Sequence, residues 1–119
     1  MRRDDRVPVH DALKAARQAV SLGELRSRSD LDSDVTLLLA LIRLQEVIGE
    51  AASGVSPEYR AAHPDIPWRK LITLRNRLIH GYWSVDPDVV WRTTLDDLPP
   101  LLSQLEAALA SSETSPPAP

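Results

Sequence analysis

Val35-Thr-Leu-Leu-Leu-Ala-Leu-Ile-Arg-Leu-Gln-Glu-Val-Ile-Gly-Glu-Ala-Ala-Ser53 has the spacing of an α-helix and no trace of strand alternation. Its apolar residues at 35, 37, 38, 39, 41, 42, 44, 47 and 48 cover well over half the circumference of such a helix. A helix that apolar is normally buried on more than one side, and a dimer interface would supply part of that burial. Asp32 or Ser33 is suited to open it by accepting bonds from first-turn amides, and Gly54 closes it. Gly49 lies inside the run, at about 1 kcal/mol less favourable than Ala. Close approach of another backbone would compensate for it.

Working outward, Val9, Leu13, Ala16 and Val20 mark an amphipathic helix from about Pro8 to Arg26, after which Ser27 to Asp30 loosens the pattern. Downstream, Val55 to Pro67 holds three prolines and reads as a loop with one helical turn at Pro57 to Ala61. Pro67 and Trp68 open a third helix, striped by Trp68, Leu71, Ile72, Leu74, Leu78 and Ile79 and ending at Gly81. Asp86-Pro87 starts a short helix through Trp91. Asp96 or Asp97 is expected to cap a last helix, with Pro99 and Pro100 in its first turn, reaching about Ala110. Residues 111–119 are expected to form a disordered tail. The reading is therefore one all-α domain over residues 1–110, a bundle of four to five helices that dimerises through its central helices.

Composition bounds the chemistry. The 119 residues suffice for one domain, and a hydrophobic fraction of 43% provides a core. With no Phe, that core is aliphatic, and Trp68, Trp83 and Trp91 read as its anchors. Absence of cysteine excludes disulfides, thiolate metal sites and cysteine nucleophiles. The N-terminal residues carry charge with no apolar stretch behind them, so no secretory signal is expected. The longest apolar run, Leu37 to Ile42, falls far short of the roughly 20 residues that span a bilayer. A cytoplasmic protein without membrane contact is expected. A net charge of −3 argues against a surface made for indiscriminate nucleic-acid binding and leaves room for a local basic cleft.

The chemistry concentrates in Leu74-Arg-Asn-Arg-Leu-Ile-His-Gly-Tyr82. Asn76 and His80 are i, i+4 neighbours on one helix face. Arg75 precedes His80 by five residues, roughly 140° around the helix, so pairing across a two-fold axis or distortion of the last turn would be needed to bring them to one phosphate. Such a set allows RNA cleavage without metal: an imidazole exchanges protons near neutral pH, and a guanidinium stays charged and grips two phosphate oxygens. His80 would be the general acid/base, Arg75 the phosphate clamp and Asn76 an orienting group. Arg77, Arg69 and Lys70 read as solvated surface residues that would serve as basic lining for RNA. His10, His63 and His80 lack ligand spacing, so no metal and no cofactor are expected. Glu46 and Glu50 are read as structural, with Arg43 three residues before Glu46 as a local partner.

Over nearly its whole length the chain resembles the HepT-like family of the HEPN (higher eukaryotes and prokaryotes nucleotide-binding) superfamily. The resemblance is carried by Arg3-Asp-Asp-Arg6, Glu46-Val-Ile-Gly-Glu-Ala51, Ser56-Pro-Glu-Tyr-Arg-Ala-Ala-His-Pro-Asp-Ile-Pro-Trp-Arg69, residues 74–82, Val85-Asp86 and Asp97-Leu-Pro-Pro-Leu-Leu102. It implies a helical-bundle homodimer whose toxin active site is an Arg-x4-His motif, here Arg75 and His80, the two copies facing each other across the dimer cleft. In the extended motif Arg-x4-His-x-Tyr the last position is Tyr82. The resemblance further implies a MntA-like minimal nucleotidyltransferase as antitoxin partner, which attaches AMP to that tyrosine and so shields the cleft. Two rival readings remain at this stage: a non-catalytic nucleotide-binding module that pairs with a nucleotidyltransferase, and a purely structural helical dimer.

Overall fold

The computed structural model describes residues 5–80 and 85–114, with side chains as far as 111. Among them every regular element is helical. Four long elements make the bundle, and each turns an apolar stripe toward the core. Helix α1, Arg6–Gly23, turns Val9, Ala12, Leu13, Ala16 and Ala19 inward, and its alanines let it lie close to its neighbours. A single turn, α2, spans Asp30–Ser33. Helix α3, Val35–Ser53, runs through the centre between α1 and α5, with Leu41, Ile48 and Gln45 essentially inaccessible.

The start of α3 corrects the sequence reading. Asp32 and Ser33 belong to α2, and the cap is Asp34, whose side chain accepts from the Leu37 amide at 3.1 Å. Its extended backbone (φ −123°, ψ 90°) is what separates the two helices. At the other end Arg60 donates to the carbonyls of Ala52 and Ser53 at 3.1 and 3.2 Å, satisfying acceptors that the helix leaves open.

Helix α4, Pro57–Ala62, is the turn foreseen in the proline-rich loop. Ser56 caps it through the Tyr59 amide and is itself held by Asp5, whose two carboxylate oxygens accept from the Ser56 amide (2.8 Å) and hydroxyl (2.7 Å). Asp5 is 2% exposed, so this contact fastens the N-terminus to the α3–α4 corner from inside. Trp68 opens α5, Trp68–His80, at the expected place; it is buried edge-on to Tyr59 and donates its indole N–H to the His63 carbonyl at 3.0 Å.

The C-terminal part departs most from expectation. Asp86 caps α6, Pro87–Arg92, as read. Neither Asp96 nor Asp97 caps a new helix. Instead Thr93–Asp97 form a π-helical turn in which the Leu98 amide reaches back to the Thr93 carbonyl, and the chain continues into α7, Leu98–Thr114. Pro99 and Pro100 lack the amides that would pair with the carbonyls four residues earlier, and widening the turn keeps the chain helical where a break was expected. Helix α7 packs on α1 and runs past Ala110 to Thr114. No helix of the described residues is long and apolar enough to cross a membrane.

Candidate active site

All the candidate residues that fall within the described chain lie on α5. Leu71, Leu78 and Trp68 form its buried stripe; Arg69, Lys70, Asn76, Arg77 and His80 are exposed; Arg75 and Ile79 lie half-buried along the seam with α3. The position of Arg75 is set by the residue opposite. A Cβ built on Gly49 would fall 2.2 Å from the Arg75 Cβ and 2.6 Å from the Leu71 carbonyl oxygen. The backbone whose approach Gly49 permits is therefore that of α5 in the same chain. The Arg75 side chain passes over the bare Cα of Gly49, its Nε is buried without a partner among the described residues, and one Nη donates to Asn76 Oδ1 at 3.0 Å.

Arg75 and Asn76 are thus brought together, while His80 stands exposed at the end of α5 with no partner among the described residues. Asn76 shares a face with His80 and nonetheless bonds the guanidinium. Tyr82 lies outside the described residues. On the α3 side, Arg43 pairs with Glu46 at 3.4 Å, as its spacing predicts, and also reaches Glu50 at 3.2 Å. A hollow between α3 and α5, about 460 Å³, is bounded by Leu39, Ile42, Arg43, Glu46 and Ile79. Leu39 and Val35 remain 41% and 65% exposed on α3, so the chain's own packing does not use up the apolar surface of this helix.

The three basic candidates on α5 differ in their surroundings. Lys70 is paired with Asp97 at 3.3 Å. Arg77 has no partner among the described residues and lines a groove of about 720 Å³ between α5 and the α6–α7 arm. Arg69 faces a separate hollow beside Trp68. The sequence reading missed Arg92, which α6 places along the groove with Arg77 and Lys70. A groove shared by residues that far apart in the chain leaves no local signal. Asp65, Asp96 and Asp97 line the same groove and moderate its positive charge. Among the described residues, no group of three or more His, Asp or Glu side chains is placed to hold a metal ion.

The all-helical architecture, with arginine, asparagine and histidine on one helix, is consistent with a HEPN-type helical bundle. The family described as ribonuclease HepT-like matches residues 12–108, and the chain belongs to that family. It is 36% identical over 100 residues to the "Probable ribonuclease HepT" of Thermococcus cleftensis, covering 81% of this chain and 91% of that protein. A protein of Caldanaerobacter subterraneus, provisionally named an RNase, is 35% identical over 83 residues, covering 70% of this chain and 74% of that one. Another provisionally named RNase, from Methanocaldococcus jannaschii, is 28% identical over 105 residues, covering 88% and 96%. No solved structure matches the chain.

Proposed function

We propose that the chain is a metal-independent RNA endonuclease, the toxin of a toxin–antitoxin pair, acting as a homodimer. The observation that carries this reading is a seated Arg75 guanidinium, held by Asn76, close in sequence to an exposed His80 in a chain of the ribonuclease HepT-like family. In the proposed reaction the 2′-hydroxyl of RNA attacks the adjacent phosphorus. The 2′-oxygen–phosphorus bond forms as the bond to the 5′-oxygen breaks, leaving a 2′,3′-cyclic phosphate and a 5′-hydroxyl. A His80 imidazole takes the proton from the 2′-hydroxyl, and an imidazolium delivers one to the departing 5′-oxygen. Arg75 holds the non-bridging oxygens as negative charge builds on them, and Asn76 keeps the guanidinium aimed.

Helical geometry is compatible with the proposed homodimer. Arg75 and His80 diverge by roughly 140° on one helix, so two copies meeting along α3 and α5 would complete one cleft with four groups. The exposed Leu39 and Val35 support that face as the interface. Tyr82 is the proposed switch: a MntA-like nucleotidyltransferase would attach AMP there, and the added charge and bulk would close the cleft to RNA.

Growth after induced expression without any partner gene tests the reading. Wild type should arrest growth, and Arg75→Ala and His80→Ala should not. With the nucleotidyltransferase co-expressed, wild type should be tolerated and Tyr82→Phe should remain toxic. If the soluble, dimeric wild type and both motif variants all grow alike, the nuclease reading fails.

A further inference from the structure

Gly49 and Arg75 belong to different helices, yet no atom other than hydrogen fits between the Gly49 Cα and the Arg75 side chain. A Cβ at position 49 would meet the Arg75 Cβ at 2.2 Å, the Arg75 Cγ at 3.1 Å and the Leu71 carbonyl oxygen at 2.6 Å. In an α-helix that carbonyl accepts the bond from the Arg75 amide, so the clash falls on the turn that carries the arginine as well as on its side chain. Two of the three obstacles cannot swing away, because one is backbone and the other is the first atom of the side chain. The guanidinium has little freedom to adjust: its Nε is buried and one Nη is engaged by Asn76. Resting on the nuclease reading above, we propose that Gly49 is a positioning residue for the reaction. Its missing Cβ sets the distance between α3 and α5 at the one level where Arg75 must project toward the RNA phosphate.

The consequence is specific. Restoring ordinary contact at position 49 requires α5 to retreat from α3 by about 1 Å, a misplacement of the kind that lowers turnover on the order of 100-fold. It acts through Arg75, so kcat should fall while KM for RNA, set largely by other phosphate contacts, moves little. The effect should also depend on the arginine being present.

The test is a double-mutant cycle on purified full-length protein, with an RNA oligonucleotide pool as substrate and the folded fraction fixed by near-ultraviolet circular dichroism of the tryptophans. Gly49→Ala alone should lower kcat on the order of 100-fold. In an Arg75→Ala background it should lower the residual rate by less than about threefold, since non-additivity marks residues that act as a unit. Gly23→Ala serves as control: there a Cβ would meet only the Thr94 methyl, at 3.0 Å, far along the chain from α5, and turnover should hold. Wild-type kcat in folded Gly49→Ala overturns the proposal, as does an equal loss in the presence and absence of Arg75. If Gly49→Ala does not fold in dilute buffer, kcat per folded molecule is read beside wild type in a stabilising osmolyte such as sucrose: a loss on the order of 100-fold supports the proposal, and wild-type turnover overturns it. If Arg75→Ala alone retains full activity, it is the nuclease reading itself that falls.

Discussion

The Gln45 side chain on α3 donates to the Val90 carbonyl at 3.0 Å, completely out of contact with solvent. The same Nε2 donates to Thr94 Oγ1 at 3.0 Å, and that hydroxyl donates to the Val90 carbonyl at 2.9 Å. These three groups join the central helix to the π-helical turn and so fix the α6–α7 arm against it. Replacing Gln45 by Leu keeps the volume and removes two buried bonds, and should lower stability by about 1–2 kcal/mol in urea unfolding at fixed protein concentration. Gln45→Glu would set a carboxylate against a carbonyl in the core and should lower it by roughly 3 kcal/mol or more at neutral pH. Unchanged midpoints for both variants would mean that the arm is held by apolar packing alone.

Asp5 and Ser56 should behave as one unit. Asp5→Ala removes two bonds to a buried carboxylate and should cost about 2–3 kcal/mol. Ser56→Ala removes the α4 cap together with one of those bonds, at about 1–2 kcal/mol. The pair should show a coupling on the order of 1 kcal/mol in a double-mutant cycle, whereas strictly additive losses would contradict the shared network.

The basic residues of α5 should separate by their partners. Arg77→Ala and Arg69→Ala should each raise KM for RNA a few-fold and reduce the salt slope of binding by about one, leaving kcat in place. Lys70→Ala should do less, because Asp97 already neutralises it at 3.3 Å. The salt dependence of RNA binding measured for the three variants is the check, and an equal effect from Lys70 would contradict the ranking.

The dimer face makes its own prediction. Leu39→Glu puts a charge on an exposed apolar position beside the hollow that Ile79 and Glu46 share. Sedimentation should then report monomer, and RNA cleavage should be lost with it. Val7→Glu, at an exposure of 63% but on α1, should leave a dimer with full activity. A monomeric, fully active Leu39→Glu chain would contradict a cleft shared between copies.

The long helices were legible because each carries an unbroken apolar stripe, and α5 began at Pro67-Trp68 where proline chemistry places it. What escaped was decided by competition among equivalent residues or by distance in sequence. Asp32, Ser33 and Asp34 are all competent caps, and only the extended backbone of Asp34 makes it the one used. Pro99 and Pro100 resemble a helix start as much as they resemble the strain that a π turn relieves. Of the candidate site, Arg75, Asn76 and His80 are singled out by the sequence, and the structure brings the first two of them together. The seating of Arg75 over Gly49, the bond from Arg75 to Asn76 and the arrival of Arg92 along the groove that Arg77 lines depend on side-chain reach and helix packing, which local spacing does not encode.

The most direct test of the proposed chemistry is the nature of the RNA ends made by the purified protein in excess EDTA. Wild type should cut a mixed RNA pool to fragments ending in 2′,3′-cyclic phosphate and beginning with 5′-hydroxyl, and Arg75→Ala and His80→Ala should leave most of the pool uncut in the time wild type takes to consume it. Fragments bearing 3′-hydroxyl ends, or cleavage that stops when EDTA is added, would contradict a metal-independent reaction driven by the 2′-hydroxyl and His80.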